Sequence, residues 1–193
     1  QPTVAELEEL RSPARSVVLI DKGNNRKLSQ SISGDLPHEG CFLPASSLLL
    51  AIAAEFPMVA TSANLSGEPI LTERQQIESR FGYIIDGILD YDLDIHFPCD
   101  DSVVRFTPDN QRIVLRTARG IAPLSIHCPN RGDTPQTLAM GAQERGSIAC
   151  YLNGMLYTSG FIANLENFDS QNRFHCLVEQ WLKLLDFQPE RII

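Results

Sequence analysis

The chain has 193 residues, 43% of them hydrophobic and 21% charged, which suits a globular domain, or a domain plus a fragment, and excludes a disordered or fibrous chain. A formal net charge of -8 and a pI near 4.9 repel phosphate backbones. That argues against duplex nucleic acid as a partner while leaving room for a local pocket that takes a small anion such as ATP. The five cysteines, Cys41, Cys99, Cys128, Cys150 and Cys176, form no C-x-x-C pair, and the longest apolar stretch, 48–54, is too short for a bilayer. No secretion signal is visible, so the chain reads as a cytoplasmic protein with reduced thiols and no membrane partner.

Gln1 and Ile193 read as cuts through a longer sequence. Thr3 and Glu6 have capping-box spacing and open a short helix that Ser12-Pro13 ends. The β-branched run 16–20 predicts a buried strand, 21–25 is turn chemistry, and the polar 26–39 stretch reads as loop. Residues 46–56 are apolar on nearly every side and predict a buried helix, followed by a short strand over 58–61. Thr72 and Gln75 repeat the capping-box spacing at a second helix, and 83–89 reads as a strand. Residues 102–106 and 112–115 predict two strands joined by a turn at 108–110. Strands alternating with helices imply an α/β layer fold.

The composition changes over 125–136, where Pro129, Asn130, Gly132, Asp133 and Pro135 predict a linker or domain boundary. Asn153-Gly154 between two apolar runs is the strongest local hairpin signal, because both residues accept the positive φ of a type I′ turn. Phe174, Leu177, Val178, Trp181, Leu184 and Leu185 line one face of an amphipathic helix, with Asp169 or Ser170 as its cap. Residues 191–193 read as the start of a strand.

The chemistry concentrates in 61–70, TSANLSGEPI, placed after a predicted strand and before a predicted helix. Ligands of α/β sheets bind outside the carboxyl ends of strands, where hydroxyl, amide and free N–H groups can hold phosphate oxygens. On composition alone an ordinary capped turn explains the same residues better.

Resemblance reverses that order. MVATSANLSGEPI over 58–70 resembles the Ser-Ala-Asn block of the YrdC-like family, in the version found in HypF-type carbamoyltransferases. Asp100-Asp101-Ser102-Val103-Val104-Arg105 is similar to the DDSVVR block of that family, and 115–123, LRTARGIAP, to its LRRARGYAP block. Further on, LAMGA over 138–142 and Leu165-Glu166-Asn167 are similar to the patterns that begin a TsaD-like transferase domain. The implied fold is a YrdC-like twisted mixed α/β sheet with helices over 1–128. The opening β-hairpin and helix of an actin-like ATPase fold would follow over 129–193.

The resemblance implies site roles. Thr61, Ser62, Asn64 and Ser66 would line the nucleotide and acyl-phosphate pocket, Ser102 would hydrogen-bond phosphates, and Arg105, Arg116 and Arg119 would clamp phosphate or carboxyl groups. A solvated charge or an ion pair with Asp100 or Asp101 is the competing role for each arginine. Gly141 could admit a phosphate or serve as a turn glycine. The implied activity is a carbamoyltransferase of nickel–iron hydrogenase maturation. It would form carbamoyl-adenylate from carbamoyl phosphate and ATP and pass the carbamoyl group to the C-terminal cysteine of a HypE-like acceptor. ATP is a substrate here, Mg²⁺ would arrive only with it, and no His pair has ligand spacing, so no metal is assigned.

The chain departs from the family pattern in several places. No KR…KP block precedes Ser12, Arg26-Lys27 lies in the wrong place, and 44–48 lacks a Thr-Pro-Leu-His pattern. Ala163-Asn164 stands where the family has Gly-Asp, and the H-x-x-x-H metal motif, acylphosphatase module and zinc fingers are absent. These departures leave open a non-catalytic nucleotide- or partner-binding module. Threonylcarbamoyl-adenylate synthesis for tRNA modification is a further alternative, against which the DDSVVR block and the transferase start both speak.

Overall fold

The structure is a computed structural model that describes all residues except 24–27, 66–67, 92, 130–133, 145, 163 and 167. The chain forms two compact units, one of 1–61 with 101–123, the other of 62–100 with 124–193.

The first unit holds a four-stranded sheet of order β2-β1-β3-β4, built from β1 (Val17–Asp21), β2 (His38–Cys41), β3 (Val103–Phe106) and β4 (Arg112–Arg116). β1 and β3 run parallel with Val18 beside Val104, and both valines are fully buried. Each such burial stabilises by about 1.5–3 kcal/mol. The strand predicted over 16–20 is therefore present, as are both strands of the 102–115 hairpin, whose turn places Asn110 at φ 60°. Helix α1 (Val4–Arg11) begins with the predicted capping box: Thr3 Oγ1 accepts from Glu6 N–H at 3.2 Å and Glu6 Oε2 accepts from Thr3 N–H at 2.6 Å.

Other expectations fail in this unit. Within the 26–39 stretch expected to be loop, α2 (Gln30–Ser33) forms and β2 begins at His38. β2 has no apolar alternation, and its pairing with the β1 edge, Ile20 opposite Glu39, holds it. Residues 46–56 contain only the short α3 (Ser47–Ile52), capped by Ser46 and exposed at Leu48, Leu49, Leu50 and Ile52. An all-apolar helix is buried only where a second layer covers it, and among the described residues none does so. No strand forms over 58–61, a run with no hydrogen-bonded neighbour strand. Of the turn predicted at 21–25, Asp21 still belongs to β1 and Gly23 takes φ 60°, while 24–25 and Arg26-Lys27 lie outside the described residues.

Arg112 grips Glu9 with both arms of its guanidinium, at 2.8 and 3.0 Å, joining β4 to α1. The Arg112 hydrogen bond holds the Glu9 carboxyl below its ordinary value, against partial burial. A carboxyl lowered in the folded state stabilises above its unfolded value and loses that contribution as pH falls through the folded one. Glu9→Gln should therefore lower the thermal midpoint at pH 7 and match the parent near pH 3. Equal midpoints at pH 7 would remove the pair from the stability account.

The second unit holds a five-stranded sheet of order β5-β8-β7-β6-β9, built from β5 (Leu124–His127), β6 (Thr137–Ala139), β7 (Ala149–Leu152), β8 (Met155–Thr158) and β9 (Arg191–Ile192). All neighbours are antiparallel except β6 and β9. The predicted hairpin is present between β7 and β8, with Asn153 at φ 50° and Gly154 at φ 79°. Helix α5 (Phe168–Leu184) packs Phe174 into a core of Leu138, Ile148, Cys150, Ile162 and Phe187, with Trp181 and Leu177 at its margin. Burial pushes the Cys150 thiol up, as expected of a small apolar filler.

Helix α5 starts at Phe168, so Asp169 and Ser170 sit inside its first turn rather than capping it. Helix α4 (Arg74–Phe81) likewise starts later than expected: Glu73, not Thr72, is its N-cap and makes no side-chain cap bond. The strand expected over 83–89 is absent, because Ile84 and Ile85 N–H groups bond back to the Phe81 carbonyl. Residues 125–127, expected as linker, belong to β5, while 130–133 lie outside the described residues. Among the described residues no helix is long and apolar enough to cross a membrane.

Candidate functional site

In the first unit Ser102, Arg116 and Arg119 come together around Asp101. The Asp101 carbonyl accepts from Arg116 Nε at 2.8 Å. One oxygen of its carboxylate, Oδ1, accepts from Arg119 Nε at 3.0 Å and Nη2 at 2.5 Å. Arg119 Nη2 also donates to the Arg15 carbonyl at 3.3 Å, and the Arg119 backbone bridges both Asp101 and Ala122. The arginine cluster is thus an ordered arm of the sheet.

Ser102 differs from its expected role. It is 0% exposed, its Oγ donates to the Arg119 carbonyl at 3.0 Å, and it accepts from Ala118 N–H at 2.8 Å. A hydroxyl engaged on both sides with no solvent face holds the 117–120 turn against β3. Ser102→Ala would strand a buried N–H and a carbonyl, at a cost of about 1–3 kcal/mol. A urea midpoint unchanged by Ser102→Ala would show that the turn is held by other means. Arg105 lies on the exposed side of β3, and no described residue pairs with its side chain. Thr61 ends the first segment of the first unit and is exposed.

The other candidates belong to the second unit. Asn64 organises the Ser-Ala-Asn turn: its Nδ2 donates to the Leu65 carbonyl at 3.0 Å and the Glu68 carbonyl at 2.8 Å. Its own N–H donates to the Ser62 carbonyl at 3.0 Å, and Leu71 N–H closes back on the Ala63 carbonyl at 2.9 Å. Ser62 is exposed, with its hydroxyl unspent among the described residues. Ser66 and Gly67 lie outside the described residues. Glu68 is fastened by Arg80 of α4.

Sequence reasoning missed Arg173. Its Nη2 donates to the Pro98 carbonyl at 2.6 Å, tying α5 to the segment ahead of the Asp100-Asp101 pair. Burial holds this guanidinium below its ordinary value, opposed by the charge of Asp100. Gly141, at φ 72°, packs closely on the chain, since a Cβ there would stand 2.2 Å from the Ser147 carbonyl oxygen.

The donor set does not suit a metal. The Asp101 carboxylate is bound by Arg119, and the described residues contain no group of three acids, histidines or cysteines.

Residues 2–118 match the Sua5, YciO and YrdC family, described as telomere recombination, and residues 132–193 match the HypF Kae1-like domain. Carbamoyltransferase HypF of Synechocystis sp. is 33% identical over 195 residues, covering 100% of this chain and 25% of that protein. Carbamoyltransferase HypF of Rhizobium leguminosarum bv. viciae is 30% identical, covering 98% of this chain and 26% of that protein. A crystal structure of full-length HypF in the phosphate- and nucleotide-bound form superposes with a TM-score of 0.88 at 27% identity, over 100% of this chain and 30% of that one. The T. kodakarensis HypF crystal structure superposes with a TM-score of 0.80 at 27% identity, over 91% of this chain and 23% of that one. The chain spans about a quarter of the length of the curated relatives it matches. With a Sua5, YciO and YrdC match over most of its length, followed by a match to a HypF Kae1-like domain, this chain belongs to the Sua5, YciO and YrdC family and is similar along its whole length to HypF carbamoyltransferases.

Proposed function

We propose that this chain carries nucleotide-recognition elements of a carbamoyltransferase of nickel–iron hydrogenase maturation. That enzyme would form carbamoyl-adenylate from carbamoyl phosphate and ATP for transfer to the C-terminal cysteine of a HypE-like acceptor. The observation that carries the reading is the ordered arginine arm of Asp101, Arg116 and Arg119, in a chain that superposes on a nucleotide-bound HypF. Preset guanidinium groups suit phosphate oxygens, because orientation is fixed before the ligand arrives.

In this reading Thr61, Ser62, Asn64 and Ser66 form the nucleotide turn, with the Ser62 hydroxyl as a donor and Asn64 as its brace. Arg105, Arg116 and Arg119 meet phosphate or carboxyl oxygens, and Ser102 supports them from beneath. The first domain is 1–128 and the second 129–193, a division supported by family matches that end at 118 and begin at 132. β5 would then be a strand lent by the end of the first domain to the second sheet. A longer protein carrying this sequence should cleave ATP only when carbamoyl phosphate is present. Cleavage that depends on threonine would move the reading to threonylcarbamoyl-adenylate synthesis, and cleavage with neither would end it.

A further inference from the structure

We propose that Asp101 is a positioning residue of the nucleotide site, acting through Arg119 and Arg116; this rests on the nucleotide-recognition reading above. Three observations support it. The side chain of Asp101 takes two donors of the Arg119 fork on a single oxygen, which fixes the plane of that guanidinium. The main chain of the same residue takes Arg116 Nε, which fixes a second guanidinium through a bond that no side-chain change removes. The surrounding turn cannot drift, since Ser102 Oγ, the Arg15 carbonyl and the Asp101 and Ala122 backbone all bind Arg119.

Electrostatics sets the role apart from ligand binding. A carboxylate repels phosphate, so Asp101 weakens anion attraction in its charged form while improving orientation. Arg119 keeps Nη1 without a described partner, so its fork can face a ligand while Nε and Nη2 are held. The carboxylate is needed for its acceptor oxygen, not for its charge.

That separation yields the test. The chain is titrated with ATP by calorimetry beside Asp101→Ala and Asp101→Asn, with circular dichroism and thermal midpoints for each. Asp101→Asn keeps an acceptor oxygen and drops the charge, so its affinity should stay within about threefold of the parent or tighten. Asp101→Ala releases the Arg119 fork and should weaken ATP by about tenfold or more. Should Asp101→Ala not fold, Arg119→Lys keeps the charge without the fork and should show the same loss. Equal weakening by Asn and Ala, or none by Ala, overturns the proposal. A parent that binds no ATP fails before any variant is compared. That outcome ends the nucleotide reading and this proposal with it.

Discussion

Phe174→Ala should lower the stability of the second unit by about 3–5 kcal/mol. Phe174 is 6% exposed and touches the fully buried group of Leu138, Ile148, Cys150 and Ile162, beneath the 17-residue helix α5. Removing the ring leaves a hole that strands β6 and β7 cannot close, because both are pinned in register by their own ladders. Trp181 packs at the margin of the same cluster, so its fluorescence reports the transition directly. In urea the Phe174→Ala midpoint should fall well below the parent, while Glu179→Ala, on the exposed face of the same helix, should change stability by under about 0.5 kcal/mol. Equal midpoints for the two variants would mean that α5 does not bury this face.

Gly120→Ala should be comparably damaging in the first unit. Gly120 sits at φ 84°, and a Cβ there would stand 2.3 Å from the Ala14 carbonyl oxygen and 2.6 Å from Ala14 Cα. Both atoms are backbone, so no side-chain rotation relieves the clash. The positive φ alone costs a non-glycine residue about 1–3 kcal/mol, and the clash adds to it. The displaced segment carries Arg119, so ATP affinity should fall together with the urea midpoint. Gly87→Ala is the control: no atom lies within 4 Å of the added Cβ, and its midpoint should match the parent. A Gly120→Ala protein with parental stability would show that the 14–15 and 119–120 segments are not in contact.

Much of this fold was legible in the chain because short-range rules govern it. The Thr3 and Glu6 pair, the Asn153-Gly154 hairpin and the Phe174 to Trp181 stripe each act within a few residues, and each is present. β1 and β3 were readable because Val18 and Val104 are core residues in a β-branched run. The failures among the strands share one cause, which is that a strand needs a partner. Residues 58–61 and 83–89 have the composition of strands and no partner among the described strands, whereas His38–Cys41 lacks it and pairs with β1 regardless. α3 shows the same limit for burial, since composition cannot reveal what covers a helix.

The candidate site divides along the same line. Resemblance picked out its residues, but not their roles within the molecule. A serine in a motif looks available, yet Ser102 is turned inward and spent on Ala118 and Arg119. The competing ion-pair role weighed for the arginines is realised at Arg119, and only coordinates distinguish it from Arg105 on the open side of β3. Arg173 was invisible because its acceptor, the Pro98 carbonyl, is a backbone atom 75 positions away.

The measurement that bears most directly on nucleotide recognition is a calorimetric titration of this chain with ATP in the presence of carbamoyl phosphate, beside Ser62→Ala and Arg116→Ala. Saturable one-site binding in the parent is expected. Arg116→Ala should weaken it by about tenfold, the equivalent of one charge-assisted hydrogen bond, and Ser62→Ala by less, with circular dichroism unchanged in both. Absence of saturable heat in the parent, or equal affinity in all three proteins, would contradict the assignment of a nucleotide site to these residues.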